Sequence, residues 1–384
     1  LRFNDDDDTN LNRTPSSAGN RRTFTYSSWI KRCTLSGDQQ LIIATPSSSA
    51  TSHIRFDSDD TLNVFDYGTD YDFRLQTTQL FRDPSAWYHI VVAFDTTQST
   101  SSDRVKIYVN GTQVTSLATS NYPSQDHDTD FNNTVGHYFG KNPYYTNRFD
   151  GYMAEINFID GLQLTPSSFA ETDSTTGQWV PIDTSSLTFG TNGYRLQFSD
   201  NSGTTATTLG KDTSGNSNNF TPNNFSVSAG TGNDSLEDTP TNNFCTLNPL
   251  DVYGDGVSEE IKNGNLEAKN TSGSYRMTRS TFHFTTGKWY WEVKVLNAGS
   301  ATLIGVVGKD YAAGSGARRV YSTNGQKYTG SGSSYGASFT TNDIIGIALD
   351  LDNGTITFYK NGSSQGVAFT DMLTAMVDGG WTPV

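Results

Sequence analysis

DIIGIALDLDNGTITFYKNGSSQGVAF, Asp343 to Phe369, reads as three antiparallel strands in succession. An apolar run ends in Asp350, a polar Asp-Asn-Gly turn follows, an alternating strand closes in Tyr359-Lys360-Asn361-Gly362, and a third strand begins. Asn-Gly pairs between alternating runs favour tight hairpin turns, because both residues tolerate the positive φ such turns require. The pattern recurs earlier as WYHIVVAFDTTQSTSSDRVKIYVNGTQV, Trp87 to Val114. Setting Asp95 on Asp350, Tyr108 on Tyr359 and Asn110-Gly111 on Asn361-Gly362 brings Val105 and Ile107 onto Ile356 and Phe358. Trp29 is expected to be the counterpart of Trp291, each lying on a strand ahead of its own copy.

Working outward from the two copies, the 384-residue chain is long enough for two cores. Its aromatic content of 12%, its turn-forming residues and its lack of sustained helical periodicity predict an all-β protein. The one helix start is LTPSSFAETD, Leu164 to Asp173, where Thr165 would cap and Pro166 would take the first helical position. FDGYMAEINFIDG, Phe149 to Gly161, is expected to be a core strand with Tyr152, Ala154, Ile156 and Phe158 on one side. In GKWYWEVKVL, Trp289, Trp291, Val293 and Val295 share a face. From Asn201 to Asn248 the composition turns to Asn, Ser, Thr and Gly, which reads as a linker pinned to a neighbouring surface by Phe220, Phe225 and Phe244. The expected division is a β-sandwich over 1–200, a polar linker over 201–248 and a second β-sandwich over 249–384.

A net charge of −14 gives no basic face for a phosphate backbone, so nucleic acid is excluded as the expected partner. No apolar run of about 18 residues exists to span a membrane as a helix. The two cysteines, Cys33 and Cys245, cannot build a disulfide framework, and the five histidines show no zinc spacing. The chain opens on Leu1 and stops at GGWTPV, so it is expected to be part of a longer polypeptide whose second sandwich lacks a closing strand.

The second half resembles the SPRY (B30.2-like) family through GKWYWEV, IGVV, a Tyr- and Gly-rich middle, NDIIGIALDLDNGTITFYKNG and GVAF, in that order, over about 263–384. The first 200 residues resemble the laminin-G or concanavalin A-like jelly-roll group through WYHIVVAFD, RVKIYVNGTQV and FDGYMAEINFIDG followed by LTPSSF. These resemblances imply antiparallel jelly-roll sandwiches. The order of modules, with WVPI, TPNN and DTPTNNF between them, is similar to bacteriophage tail-fibre or capsid-decoration proteins. That implies a structural protein on the virion surface, homo-oligomeric, in contact with other virion subunits and with a host-surface glycan or protein. An exported bacterial cell-surface adhesin or lectin is the alternative.

Three kinds of chemistry are open to such modules. EINFID, Glu155 to Asp160, resembles the paired-carboxylate strand of jelly-roll glucanases, with Asn157 where that group has an Asp; the expectation is a strand and turn rather than a glycoside hydrolase. No cofactor is required, but calcium fits loop carboxylates, and Asp126, Asp128 and Asp130 are its candidates, with the run Asp5 to Asp8 beside them. Glycan recognition needs an aromatic plate and polar groups for ring hydroxyls. Asn142, Tyr144, Tyr145 and Arg148 offer that mixture in the first sandwich, and Tyr311, Arg318, Arg319, Tyr321, Tyr328 and Tyr335 in the second.

Overall fold

The computed structural model describes residues 1–254, 259–271, 275–299, 302–308, 318–376 and 379–384. It is all-β and divides into two compact units, 1–244 with 262–267, and 245–261 with 268–384. Among the described residues no helix is long and apolar enough to cross a membrane.

The first unit runs β1 (Arg2–Phe3), β2 (Asn10–Arg13), β3 (Thr23–Arg32), β4 (Gln39–Ser47), β5 (Ala50–Phe56), β6 (Thr61–Tyr67), β7 (Tyr71–Leu80), β8 (Trp87–Asp95) and β9 (Val105–Val109). It continues through β10 (Thr112–Gln113), β11 (Leu117–Asn121), β12 (Gly136–Phe139), β13 (Gly151–Asp160), β14 (Ala170–Thr172), β15 (Trp179–Pro181), β16 (Tyr194–Leu196) and β17 (Thr221–Asn223). One sheet has the order β1-β13-β3-β8-β9-β10 with β16 on β13; the other has the order β11-β7-β6-β5-β4-β12-β2-β17. Their facing sides enclose one core. Phe24 stacks on Phe94 at 4.4 Å and on Phe158 at 5.2 Å, and Ile54, Leu62, Val64 and Leu75 close it from the other sheet. The outer side of the first sheet carries its own apolar layer of Trp29, Trp87, Tyr152, Ala154 and Ala170. With both faces covered, β8 is buried from Trp87 to Phe94, which is why its sequence is an apolar run rather than an alternation.

β13 departs from the expected single face. Its register with β3 passes from Ala154↔Trp29 to Asn157↔Ser27, so one extra residue is inserted, and Glu155 takes φ 45° there. Since side chains alternate with period two, the bulge exchanges the faces. Tyr152 and Ala154 lie on the outer layer, while Ile156 and Phe158 lie in the main core. The helix start at Thr165 yields only a three-residue 3₁₀ turn, Pro166–Ser168, without a side-chain cap, before β14 takes over.

Residues 201–244, read from composition as a linker, belong to the first unit. β17 pairs with β2, and Phe220 and Phe225 enter the main core. Lys31 is wholly buried and donates to Asp238 Oδ2 at 2.8 Å, Asn243 Oδ1 at 2.8 Å and Phe244 O at 3.0 Å. Arg2 pairs with Asp234 at 2.9 Å. A charge out of water persists only when it is paired, so these contacts fix the path of the segment. Composition misses this because the partners are some 200 residues away.

The second unit contains β18 (Leu247–Tyr253), β19 (Glu259–Lys262), β20 (Glu267–Asn270), β21 (Met277–Ser280), β22 (Lys288–Lys294), β23 (Leu303–Gly308) and β24 (Arg318–Ser322), the ends of β19 and β20 grouping with the first unit. β25 (Gln326–Tyr328), β26 (Gly332–Ser334), β27 (Ile344–Asp350), β28 (Thr355–Lys360), β29 (Ser363–Phe369) and β30 (Trp381–Pro383) complete it. Sheets β22-β27-β28-β29 and β26-β25-β24-β23-β30 enclose Ile345, Ile347, Leu349, Ile356, Phe358 and Trp381. Trp381–Pro383, placed by the sequence reading just ahead of a missing strand, itself pairs with β23.

The copied meander is present in both units as β8-β9-β10 and β27-β28-β29. Val105 opposes Phe94 and Ile356 opposes Leu349, each one residue before its Asp. The Trp29 and Trp291 pairing does not hold. Thr23 opposes Asp95 and Lys288 opposes Asp350, so three residues further along the register the counterpart of Trp291 is Tyr26. Trp29 instead serves the outer layer.

Candidate functional site

The eight-stranded sheet turns Ile54, Phe56, Leu62, Val64, Phe73 and Leu75 inward, so the intervening residues of β5, β6 and β7 point outward. The register lines them up in rows: His53, Phe65 and Arg74 in one, Arg55, Asn63 and Gln76 in the next. His53 stacks on Phe65 at 4.3 Å, Phe65 meets Tyr71 edge-on at 5.4 Å, and Tyr71 meets Tyr67 at 5.3 Å. Arg55 lies over Phe65 at 5.1 Å and Arg74 over Tyr71 at 5.0 Å. Asp57 gathers the polar row, accepting from Arg55 Nε at 2.7 Å, Asn63 Nδ2 at 2.7 Å and Arg74 at 3.2 Å. The inner rings are locked, while Tyr67 and Tyr71 remain 38% and 36% exposed. None of these residues stands out in the sequence as a site. The available signal is an aromatic at the outward positions 65 and 67 of a strand whose inward positions are already aliphatic.

The loop predicted from sequence borders this face. Lys141 and Arg148 bridge its base, and Asn147 Nδ2 donates at 3.3 Å to Asp38, which pairs with Arg55 at 3.2 Å. Tyr144 and Tyr145 are 47% and 56% exposed, and Tyr145 reaches Ser48 O at 3.5 Å. Asn142 is buried and accepts from Tyr144 N at 3.0 Å, and Arg148 is paired with Asp8, so these two shape the loop and leave the tyrosines as its contact surface.

The second unit's candidates are placed differently. Tyr321 is fully buried in the core and donates to Ala337 O. Arg319, also buried, pairs with Asp371 at 2.6 Å between Phe369 and Trp381. Arg318 bonds Thr329 O beside the Tyr328 ring, Tyr328 donates to Gln326 Oε1 at 2.7 Å, and Tyr335 packs on Phe358 and donates to Gly366 O. These groups hold the sandwich together because their polar ends are consumed internally. Tyr311 lies outside the described residues.

The carboxylates of EINFID are also engaged. Asp160 accepts from Asn20 N at 2.8 Å, Asn132 Nδ2 at 2.6 Å and Asn192 N at 3.0 Å, tying three loops together. Asn157 accepts from Thr184 Oγ1 at 2.8 Å. Glu155, on the bulge, has Arg195 at 3.9 Å; burial raises its pKa and Arg195 opposes the rise. Asp126 and Asp128 pair with Arg22 at 3.3 and 2.8 Å, and Asp130 lies 3.7 Å from Arg21. Their charges are met by guanidinium groups, and among the described residues no three acidic, histidine or cysteine side chains gather in a metal-holding cluster.

Of the histidines, His53, His89 and His137 are buried, which pushes their pKa values down to about 3, 3 and 4. Trp179 Nε1 donates to His89 Nδ1 at 3.0 Å, so His89 accepts there and faces Ser27 Oγ with its other nitrogen at 2.9 Å. His127 is bonded to the buried Asp66 at 2.7 Å.

A concanavalin A-like lectin/glucanase superfamily model matches residues 5–168 and a SPRY domain model matches residues 288–377. Ran-binding protein 9 of Danio rerio is 35% identical over 98 residues, 22% of this chain and 16% of that protein. Ran-binding protein 10 of Danio rerio is 52% identical over 44 residues, 12% of this chain and 7% of that protein. The chain thus spans less than a fifth of the length of either relative. Among solved structures, the SPRY domain of human HERC1 is similar at 22% identity and a TM-score of 0.31, over 36% of this chain and 86% of that one. Domain 4 of the extracellular arabinanase AbnA of Geobacillus stearothermophilus is similar at 17% identity and a TM-score of 0.31, over 38% of this chain and 65% of that one. The chain carries a concanavalin A-like domain followed by a SPRY domain.

Proposed function

We propose that this chain is a non-enzymatic structural protein of a bacteriophage virion, a tail fibre or a capsid decoration, whose first domain binds glycans of the host surface. The observation that carries the glycan reading is the outward face of β5 to β7. Tyr67 and Tyr71 stand exposed on locked aromatic and guanidinium supports, beside the polar row centred on Asp57, and the loop that exposes Tyr144 and Tyr145 is tied to Ser48 and, through Asp38, to Arg55. A sugar ring presents an apolar face that stacks on such plates and hydroxyls that bond such polar groups. The virion reading is supported by the order of the two modules, which is a likeness of architecture.

Glycan-array binding by the whole chain and by a Tyr67→Ala/Tyr71→Ala variant tests the first part, with at least tenfold weaker binding expected of the variant. Equal binding by both, or silence of the wild type on glycans and on host cells, refutes it. Immunogold electron microscopy tests the second. Label on particles is expected, whereas label on bacterial surfaces favours the adhesin alternative.

A further inference from the structure

Lys31 lies on the outer side of the first sheet, where the register of β3 sets it between Tyr152 of β13 and Trp87 of β8. Its side chain is wholly buried, and Nζ lies 5.6 Å from the centre of the Tyr152 ring, within the apolar layer of Trp29, Trp87, Tyr152 and Ala154. Two side chains meet that nitrogen: the buried Asp238 through Oδ2 at 2.8 Å and Asn243 through Oδ1 at 2.8 Å. Both are held in orientation. Asp238 Oδ1 accepts from Trp87 Nε1 at 3.1 Å and from Phe244 N at 3.3 Å, while Asn243 Nδ2 donates to Ser85 O at 2.8 Å. The amide of Asn243 thus turns its carbonyl, and with it Cγ, toward the amine. Burial disfavours the ammonium and the carboxylate alike, and passing one proton from Nζ to Asp238 removes both charges at once. What remains is a neutral amine, a nucleophile, positioned against the carbonyl of a fixed carboxamide.

We infer that the first unit closes an intramolecular isopeptide bond between Lys31 and Asn243, with Asp238 as base and then acid. Asp238 takes a proton from Nζ, and the freed lone pair attacks Asn243 Cγ. Nζ gives up two protons in all, both relayed by Asp238 to the departing amide nitrogen. The Nζ–Cγ bond forms, the Cγ–Nδ2 bond breaks, one ammonium ion leaves and Asp238 ends as it began. No oxidant, cofactor or second molecule is consumed. Asn243 is exposed, so the ammonium has a path to solvent. The bond joins residues 212 apart in sequence and ties the end of the first unit to β3, which lies between β13 and β8 in its sheet. Detaching 201–244 from that sheet then requires breaking a covalent bond and not an ion pair alone.

Intact-mass measurement of the purified whole chain, denatured and reduced, tests the bond. The chain is expected to be roughly 17 Da lighter than its sequence, the mass of ammonia, and proteolysis should release one branched peptide joining the Lys31 and Asn243 segments. The branch is decisive because succinimide formation at an Asn-Gly pair such as Asn110-Gly111 loses the same mass. Asn243→Ala, a change at an exposed position, should fold and show the full sequence mass with no branch. Asp238→Asn keeps an oxygen for Trp87 Nε1 and removes the base; followed from fresh synthesis, it should link roughly a hundredfold more slowly. Full sequence mass in the wild-type chain, a branch at any other pair, or a mass loss that persists in Asn243→Ala overturns the proposal. Linkage at the wild-type rate in Asp238→Asn overturns the role given to Asp238.

Discussion

Asn110 and Asn361 do the same work in the two units. Each is left-handed, at φ 46° and 49°, and each donates its backbone N–H to the carbonyl of the residue six before the meander's Asp, His89 at 2.9 Å and Ile344 at 2.8 Å. Each also accepts that residue's N–H through Oδ1, at 2.8 Å in both cases. The side chain thus closes the start of the apolar strand against the turn, a role Gly cannot fill although Gly fits the dihedral. Asn361→Ala should therefore cost the second unit about 1–2 kcal/mol, combining the αL penalty of a Cβ with a lost hydrogen bond. Asn361→Gly should cost less, because it keeps the dihedral freedom. Urea unfolding of the two variants side by side measures the difference, and equal loss in both would deny the dihedral contribution.

Lys31 and Asp238 make the second prediction. With Lys31 replaced by Met, Asp238 keeps only the Trp87 Nε1 bond at 3.1 Å and the Phe244 N–H at 3.3 Å against a buried negative charge. Removing one partner of a buried pair typically costs about 3–5 kcal/mol. The stretch 226–244 should then become open to limited proteolysis, and adding Asp238→Asn should recover part of the loss. Unchanged cleavage kinetics would contradict the account.

Acid should weaken the first unit, through His53, His89 and His137. Their folded pKa values of about 3, 3 and 4 lie below the ordinary 6.5. The unfolded chain therefore binds more protons below pH 6.5, and stability falls as pH drops from 6.5 towards 4. His127 has the opposite sign: its hydrogen bond to Asp66 raises its pKa above 6.5, so its contribution is complete below 6.5 and is lost as pH rises through the folded value. Urea midpoints at pH 7, 5.5 and 4.5 should decline, and more steeply in His127→Gln. A flat profile would contradict the neutral state of the three buried rings.

Asp160→Asn separates support from catalysis. The amide places an NH2 where Asn20 N, Asn132 Nδ2 and Asn192 N now donate to a carboxylate, so one donor faces another. A stability loss of about 1–3 kcal/mol follows from leaving buried donors unmatched. Denaturation measures it, alongside a polysaccharide-hydrolysis panel on which wild type and variant should behave alike.

The sequence by itself determined the all-β class, the two sandwiches, the hairpin turns and the register of the meanders. Those depend on period-two burial and on the positive φ of Asn-Gly, both written within a few neighbouring residues. Only the tertiary structure decided what distant residues do to one another. It folded 201–244 back through Lys31 and Arg2, exchanged the faces of β13 at Glu155, and sank Tyr321 and Arg319 into the second core. It also assembled the His53, Phe65, Tyr71 and Tyr67 face from adjoining strands. A tyrosine or an aspartate has the same letter whether it meets solvent or a buried partner, and the partner is chosen by long-range packing, which local pattern does not encode.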